Sequence, residues 1–274
     1  EQYCSDSNNS PLLSSFKSAK PLDRKSYQKE FYAVSKGLHL SSILDFQEAF
    51  LEHLYEEKFF DKKLPLIILG QSMGGLIAAH LCFRASGKSY PLRGSIFLSP
   101  AFKPIASKTD DALGKIRYNL EQAFLNKCWG ACSGENPIFK KSILKSILGL
   151  NPPVDAGRAG DAISDLPEVN ELFKNDPMIG RNISLRFLHS ILNGMVELHK
   201  KAKDFPVPHL LLYGTEDRIV HSQGSKDFAN LARKFADSQI KVYDSFYPHE
   251  LHNSSVKEDS MEQIINWLLK LVAS

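Results

Sequence analysis

The sequence predicts an α/β fold: a mostly parallel sheet with helices on both faces, interrupted by a helical insertion. Three observations carry this. Short apolar runs of strand length alternate with longer amphipathic stretches. A serine flanked by glycines, Gly70-Gln71-Ser72-Met73-Gly74, sits where one such run turns into a helix. Asp217 and His249 each follow another apolar run directly.

In chain order, Ile43 to Lys58 reads as a helix with Phe46, Phe50, Leu51 and Leu54 on one face. Leu64 to Leu69 is the first buried strand, and the small-residue run after Ser72 opens a helix. Gly94 to Ser99 is the next strand. From Ala101 to about Asp204 the pattern changes to short amphipathic helices broken by Pro and Gly, the signature of a cap inserted between strands. His209 to Tyr213 and Ile240 to Phe246 are further strands, separated by a helix in "SQGSKDFANLARKFADS". The terminal helix, "VKEDSMEQIINWLLKLV", places Met261, Ile264, Ile265, Leu268 and Leu271 on its inner face. Residues 1–274 thus read as one domain, with residues 101–204 as the cap and residues 1–33 as an atypical leading segment.

A strand that must reverse into a helix within a few residues forces its middle residue into a strained backbone conformation. Glycines at i−2 and i+2 give that turn room. The turn exposes the Ser72 hydroxyl at the strand's carboxyl end, and the Met73 N–H, at the positive end of the following helix, points to the same spot. Ser72 is the candidate nucleophile and Met73 the candidate oxyanion donor. A nucleophilic serine needs a base and the base an orienting carboxylate, here in the order Ser, Asp, His. Asp217 and His249 supply them. Glu216 is the rival acid and His252 the rival base; His249 is preferred because it follows its strand more closely. Read blandly, Asp217 is a turn aspartate and His249 a loop histidine. Three such groups in the required order, each after a strand, make that coincidence improbable.

The stretches "GQSMGGLIAAHL", "LLLYGTEDRIVHSQGSKDFA" and "FYPHELHNSSVKEDSMEQIINWLLKL" resemble the monoacylglycerol lipase and lysophospholipase family of α/β-hydrolases. "LPEVNELFKNDPM" resembles the family's segment before its last cap helices, and "SKGLHLSSILDFQEAFLEHL" the one leading to the helix before the nucleophile strand. The resemblance runs from about Val34 to the C-terminus. It implies Ser72 as nucleophile, Asp217 as orienter and His249 as base, acting on a lipid-like ester without metal or organic cofactor. The departure lies in residues 1–33, where nothing matches the family's His-Gly turn, the source of a second oxyanion donor. The first strands are therefore expected to be missing or replaced, leaving the Leu64 to Leu69 strand close to an edge and either covered by a partner or costing stability. The chain begins at Glu1, which suits a processed product, a fragment or a truncated paralogue.

Two functions follow: a serine esterase cleaving a monoacylglycerol or lysophospholipid, or a catalytically weak or inactive remnant that binds lipid or a protein partner. A thioesterase or peptidase is a third possibility, because one fold hosts many chemistries.

Composition narrows the rest. With 274 residues, 43% of them hydrophobic, the chain can bury a sizeable core. Its 34 basic and 31 acidic residues leave a net charge of +3, with no basic patch suited to nucleic acid. No apolar run approaches the roughly 20 residues of a membrane span, so a soluble or membrane-peripheral protein is expected. Cys82 reads as a buried thiol, while Cys128 and Cys132 form either a short disulfide loop or two free thiols and lack the second pair a zinc site needs. In the cap, Ile138, Phe139, Ile143, Leu144, Ile147 and Leu148 form an apolar stripe with lysines between. Such stripes usually face a core; on a lid, this one would offer apolar walls to an acyl chain and a cationic rim to a membrane. The sequence carries no signal for an oligomeric state or a compartment.

Overall fold

The computed structural model describes residues 33–104, 153–155, 162–176, 179–180 and 182–273. Its helices are α1 (Leu40–Glu56), α2 (Met73–Ser86), α3 (Pro167–Asn175), α4 (Leu185–Lys201), α5 (Ser222–Leu231) and α6 (Lys257–Ala273). Its strands are β1 (Leu66–Gln71), β2 (Leu92–Leu98), β3 (Pro153–Asp155), β4 (Asn182–Ser184), β5 (His209–Gly214) and β6 (Gln239–Tyr243).

Four strands form a parallel sheet in the order β1-β2-β5-β6. Strands β3 and β4 form a separate antiparallel pair. Because every strand of the main sheet runs the same way, the turns that follow them gather along one edge. The sequence "HLLLYG" of β5 has no polar residue facing outward, and all six positions are buried, as a strand covered on both faces requires.

Alternation along β2 and β5 divides the core into two layers. Phe97 and Leu211 face α1, α2, α4 and α5, where they join Leu44, Leu76, Leu198 and Phe228. Ile96, Leu98, Leu210 and Leu212 face α6 and its Ile264, Trp267 and Leu271. The first layer holds an aromatic cluster in which the Phe97 ring meets those of Phe102, Phe205 and Phe228 at centroid distances of 5.4, 5.9 and 5.7 Å. Edge-to-face geometry dominates there, the arrangement that ring quadrupoles favour.

The flanking strands are different. Among the described residues β1 pairs only with β2, and Leu69 on it is 53% exposed, so the strand expected near an edge lies at one. On β6, Ile240 and Val242 are also exposed.

Some sequence expectations are corrected. The inner face of α1 is Leu40, Leu44, Leu51 and Tyr55; Phe46 and Phe50 point outward and stack on one another. Ile265 lies on the outer side of α6, and Trp267 takes the buried place. Strand β6 stops at Tyr243, because Ser245 turns into the left-handed region (φ 53°) and its N–H bonds Thr215 Oγ1. Helix α5 ends at Leu231 instead of running through "ARKFADS". The apolar stripe from Ile138 to Leu148, Cys4, Cys128, Cys132 and most of residues 1–33 lie outside the described residues. No helix among the described residues is long and apolar enough to cross a membrane.

Candidate active site

Ser72 occupies the turn between β1 and α2 with φ 54° and ψ −125°, a conformation that side-chain-bearing residues rarely hold. Three backbone hydrogen bonds fix it. The Ser72 N–H donates to Leu98 O (3.0 Å), and the Ser72 carbonyl accepts from Gly75 N–H (2.9 Å) and Ala101 N–H (2.8 Å).

The glycines around it are not equivalent. A Cβ on Gly70 would lie 2.2 Å from Gly74 O and 2.8 Å from Ala78 Cβ, and one on Gly75 would lie 2.6 Å from Pro100 Cβ. At Gly74 a Cβ would meet nothing within 4 Å. The turn therefore demands glycine at 70 and 75, and the requirement anticipated at 74 is absent. The Ser99-Pro100-Ala101 turn after β2, with Ser99 in the left-handed region (φ 40°), is a second brace that motif reading missed. Its signal was a Ser-Pro pair directly after a buried strand.

Met73 is the first residue of α2, so its N–H has no intrahelical acceptor and lies at the helix's positive end. Its backbone is thereby free to bind an oxyanion at Ser72.

Asp217 follows β5 and His249 follows β6, both buried. His249 Nδ1–H donates to Asp217 Oδ2 at 2.7 Å. The other carboxylate oxygen accepts from Ile219 N–H (2.8 Å) and Val220 N–H (3.1 Å), which orient the group toward the imidazole. His249 Nε2 is buried and has no hydrogen-bond partner among the described residues; no bond joins it to Ser72 Oγ. Of the rivals, Glu216 is exposed and contributes its N–H to Phe246 O, and His252 makes no bond to Asp217.

Other histidines near the site serve the packing. His80 on α2 donates to Gly194 O on α4 (2.9 Å), and His199 donates to Phe102 O (3.1 Å). Burial lowers the pKa of each, keeping both neutral near pH 7. Burial likewise pushes the Cys82 thiol up to about 12, which removes it as a nucleophile. Among the described residues no cluster of His, Cys, Asp and Glu could hold a metal ion.

A serine on a strained strand-to-helix turn, with a buried His–Asp pair past the ends of neighbouring parallel strands, is the layout of an α/β-hydrolase. The family model "Serine aminopeptidase, S33" matches residues 38–255, and the chain belongs to this hydrolase family. It is 25% identical over 215 residues to human monoglyceride lipase, covering 77% of this chain and 60% of that protein. It is 25% identical over 236 residues to the monoacylglycerol lipase of Mycolicibacterium smegmatis, covering 85% and 72%. An uncharacterized abhydrolase domain-containing protein of Dictyostelium discoideum is 26% identical over 208 residues, which span 75% of this chain and 19% of that one. Among solved structures, the monoacylglycerol lipase of Paleococcus ferrophilus superposes with a TM-score of 0.63 at 19% identity, covering 85% of this chain and 76% of that one. A soluble variant of the Saccharomyces cerevisiae monoglyceride lipase gives 0.58 at 20%, covering 85% and 69%.

Proposed function

We propose that the chain is a serine hydrolase that cleaves a carboxylic ester of a lipid-like substrate, a monoacylglycerol or lysophospholipid, through an acyl-enzyme. The observation that carries this reading is the buried 2.7 Å His249–Asp217 pair at the sheet edge that also holds the Ser72 elbow. Relatives named for monoglyceride and monoacylglycerol hydrolysis support the ester class over a peptide.

Ser72 Oγ attacks the acyl carbonyl while His249 Nε2 takes its proton, and Asp217 holds the imidazole in the tautomer that leaves Nε2 free. The Met73 N–H stabilises the oxyanion. Collapse expels the alcohol, which receives its proton from His249. Water, deprotonated by the same nitrogen, then releases the fatty acid and restores Ser72. None of these steps draws on a metal or an organic cofactor.

A second reading, a hydrolase-fold remnant that binds lipid or a protein without turnover, draws on two observations: the outer edge of β1, unpaired among the described residues and with Leu69 exposed, and the lack of a bond between Ser72 and His249. Fluorophosphonate labelling and p-nitrophenyl butyrate hydrolysis separate the two. The enzyme reading expects labelling and turnover that disappear in both Ser72→Ala and His249→Ala. A folded wild-type chain that does neither belongs to the second reading.

A further inference from the structure

His249 lies in no helix or strand, yet its backbone is held from both sides. On the sheet side, Glu216 N–H donates to Phe246 O (3.1 Å) and Thr215 N–H to Tyr243 O (3.0 Å), while the Arg218 guanidinium lies 4.4 Å from the centre of the Tyr247 ring. On the other side the contacts come from residues 162–170, far away in sequence and within the stretch read as the cap. The His249 N–H is shared between Ala162 O and Ile163 O, both at 3.1 Å, and the Glu250 N–H donates to Ile163 O at 2.9 Å.

The same segment grips the chain beyond the histidine. Ser164, fully buried, donates its hydroxyl to Asn253 O at 2.5 Å. Asp165 accepts from the Ser255 N–H at 3.0 Å and from the Ser255 hydroxyl. Asn170, on α3, clasps Ser164 through its N–H (3.0 Å) and its carbonyl (2.7 Å), so the segment is itself held rigid. The contacts this segment makes to His249, Glu250, Asn253 and Ser255 all fall within six residues of His249, and none touches Ser72 or its strand.

We propose that Ala162–Leu166 is a positioning strap for His249, with Ser164 and Asp165 as its positioning residues, so that the placement of this segment sets whether the imidazole meets Asp217. The inference rests on His249 being the general base. Its physical basis is the shared His249 N–H. The ring hangs from a backbone whose N–H is anchored to the strap, and a shift of the strap swings Nδ1 away from Asp217 Oδ2. A misplacement of about 1 Å at a reacting group costs up to about a hundredfold in rate.

Asp165 is the residue to change first, because its bonds to Ser255 are at the surface and their loss leaves the core intact. In Asp165→Ala, kcat on p-nitrophenyl butyrate should fall about tenfold with KM unchanged, and Asp165→Asn, which keeps an acceptor for Ser255, should recover most of it. The second readout does not depend on turnover: the downfield proton resonance of His249 Nδ1–H, assigned by its loss in His249→Ala, should weaken in Asp165→Ala and Ser164→Ala and return in Asp165→Asn. Thermal melting of each variant confirms that it is folded. An unchanged resonance and an unchanged kcat in folded Asp165→Ala and Ser164→Ala overturn the strap. A wild-type chain that shows the resonance but takes no fluorophosphonate overturns the hydrolase reading instead, while the resonance still decides whether the strap positions the ring.

Discussion

The Ser72 elbow and the His249 loop lie at the same edge of the sheet, but they are built in opposite ways. Ser72 is held by its immediate neighbours and by the end of the adjacent strand: Gly75, Leu98 and Ala101, all within 30 residues. His249 is held by Asp217 and by Ala162 and Ile163, all more than 30 residues away. The proposed nucleophile is therefore specified by a local backbone constraint, and the proposed base by non-local contacts that exist only once the chain has folded. Local constraint leaves a motif in the sequence; contacts between distant segments leave almost none.

Changes at each region test this contrast. The largest effect is expected at the histidine's orienting partner. Asp217→Asn keeps the shape but inverts the hydrogen bond to Nδ1, so turnover should fall on the order of 10⁴-fold in a p-nitrophenyl ester assay with little loss of melting temperature. A small effect there would mean that the strap alone orients the ring.

The elbow should respond in stability. In Gly70→Ala the new methyl meets a backbone carbonyl that cannot move without breaking the turn, and a loss of about 3 kcal/mol or more is expected in urea unfolding. Acid should act on the core beneath both regions. His209, at the start of β5, is buried and its pKa is pushed down to about 4 by desolvation. A histidine with a depressed folded pKa binds fewer protons in the folded state than in the unfolded one, so stability is full above pH 6.5 and falls as the pH drops from 6.5 toward 4. The loss is on the order of 3 kcal/mol at the bottom of that window, and His209→Gln should flatten the pH dependence in thermal melts. The smallest effect belongs to Gly74→Ala, which enters open space and should change stability by no more than about 0.5 kcal/mol. If Gly70→Ala and Gly74→Ala behave alike, the asymmetry of the elbow is wrong.

What could be read from the sequence follows the same division. The elbow, the strands ending near Ser72, Asp217 and His249, and the preference for His249 over His252 all rested on short-range pattern, and the structure has the Asp217 carboxylate bonded to His249. Phe46 and Phe50 misled because apolar spacing does not say which side of a helix meets the core when both sides carry aromatic residues. The early end of β6 depended on Thr215 reaching Ser245 across a neighbouring turn. In "DAISDLPE" a Ser-Asp pair before a proline signals a turn into a helix, but nothing in those residues states that their carbonyls will face a histidine more than 80 positions on.

The backbone angles at Ser72 set stability and chemistry against each other. A positive φ at a residue with a side chain raises the folded state by about 1–3 kcal/mol, and glycine would relieve it. At this one position mutational drift toward a more stable fold runs through the loss of the hydroxyl, so thermostability screens that ignore turnover will tend to remove the proposed nucleophile.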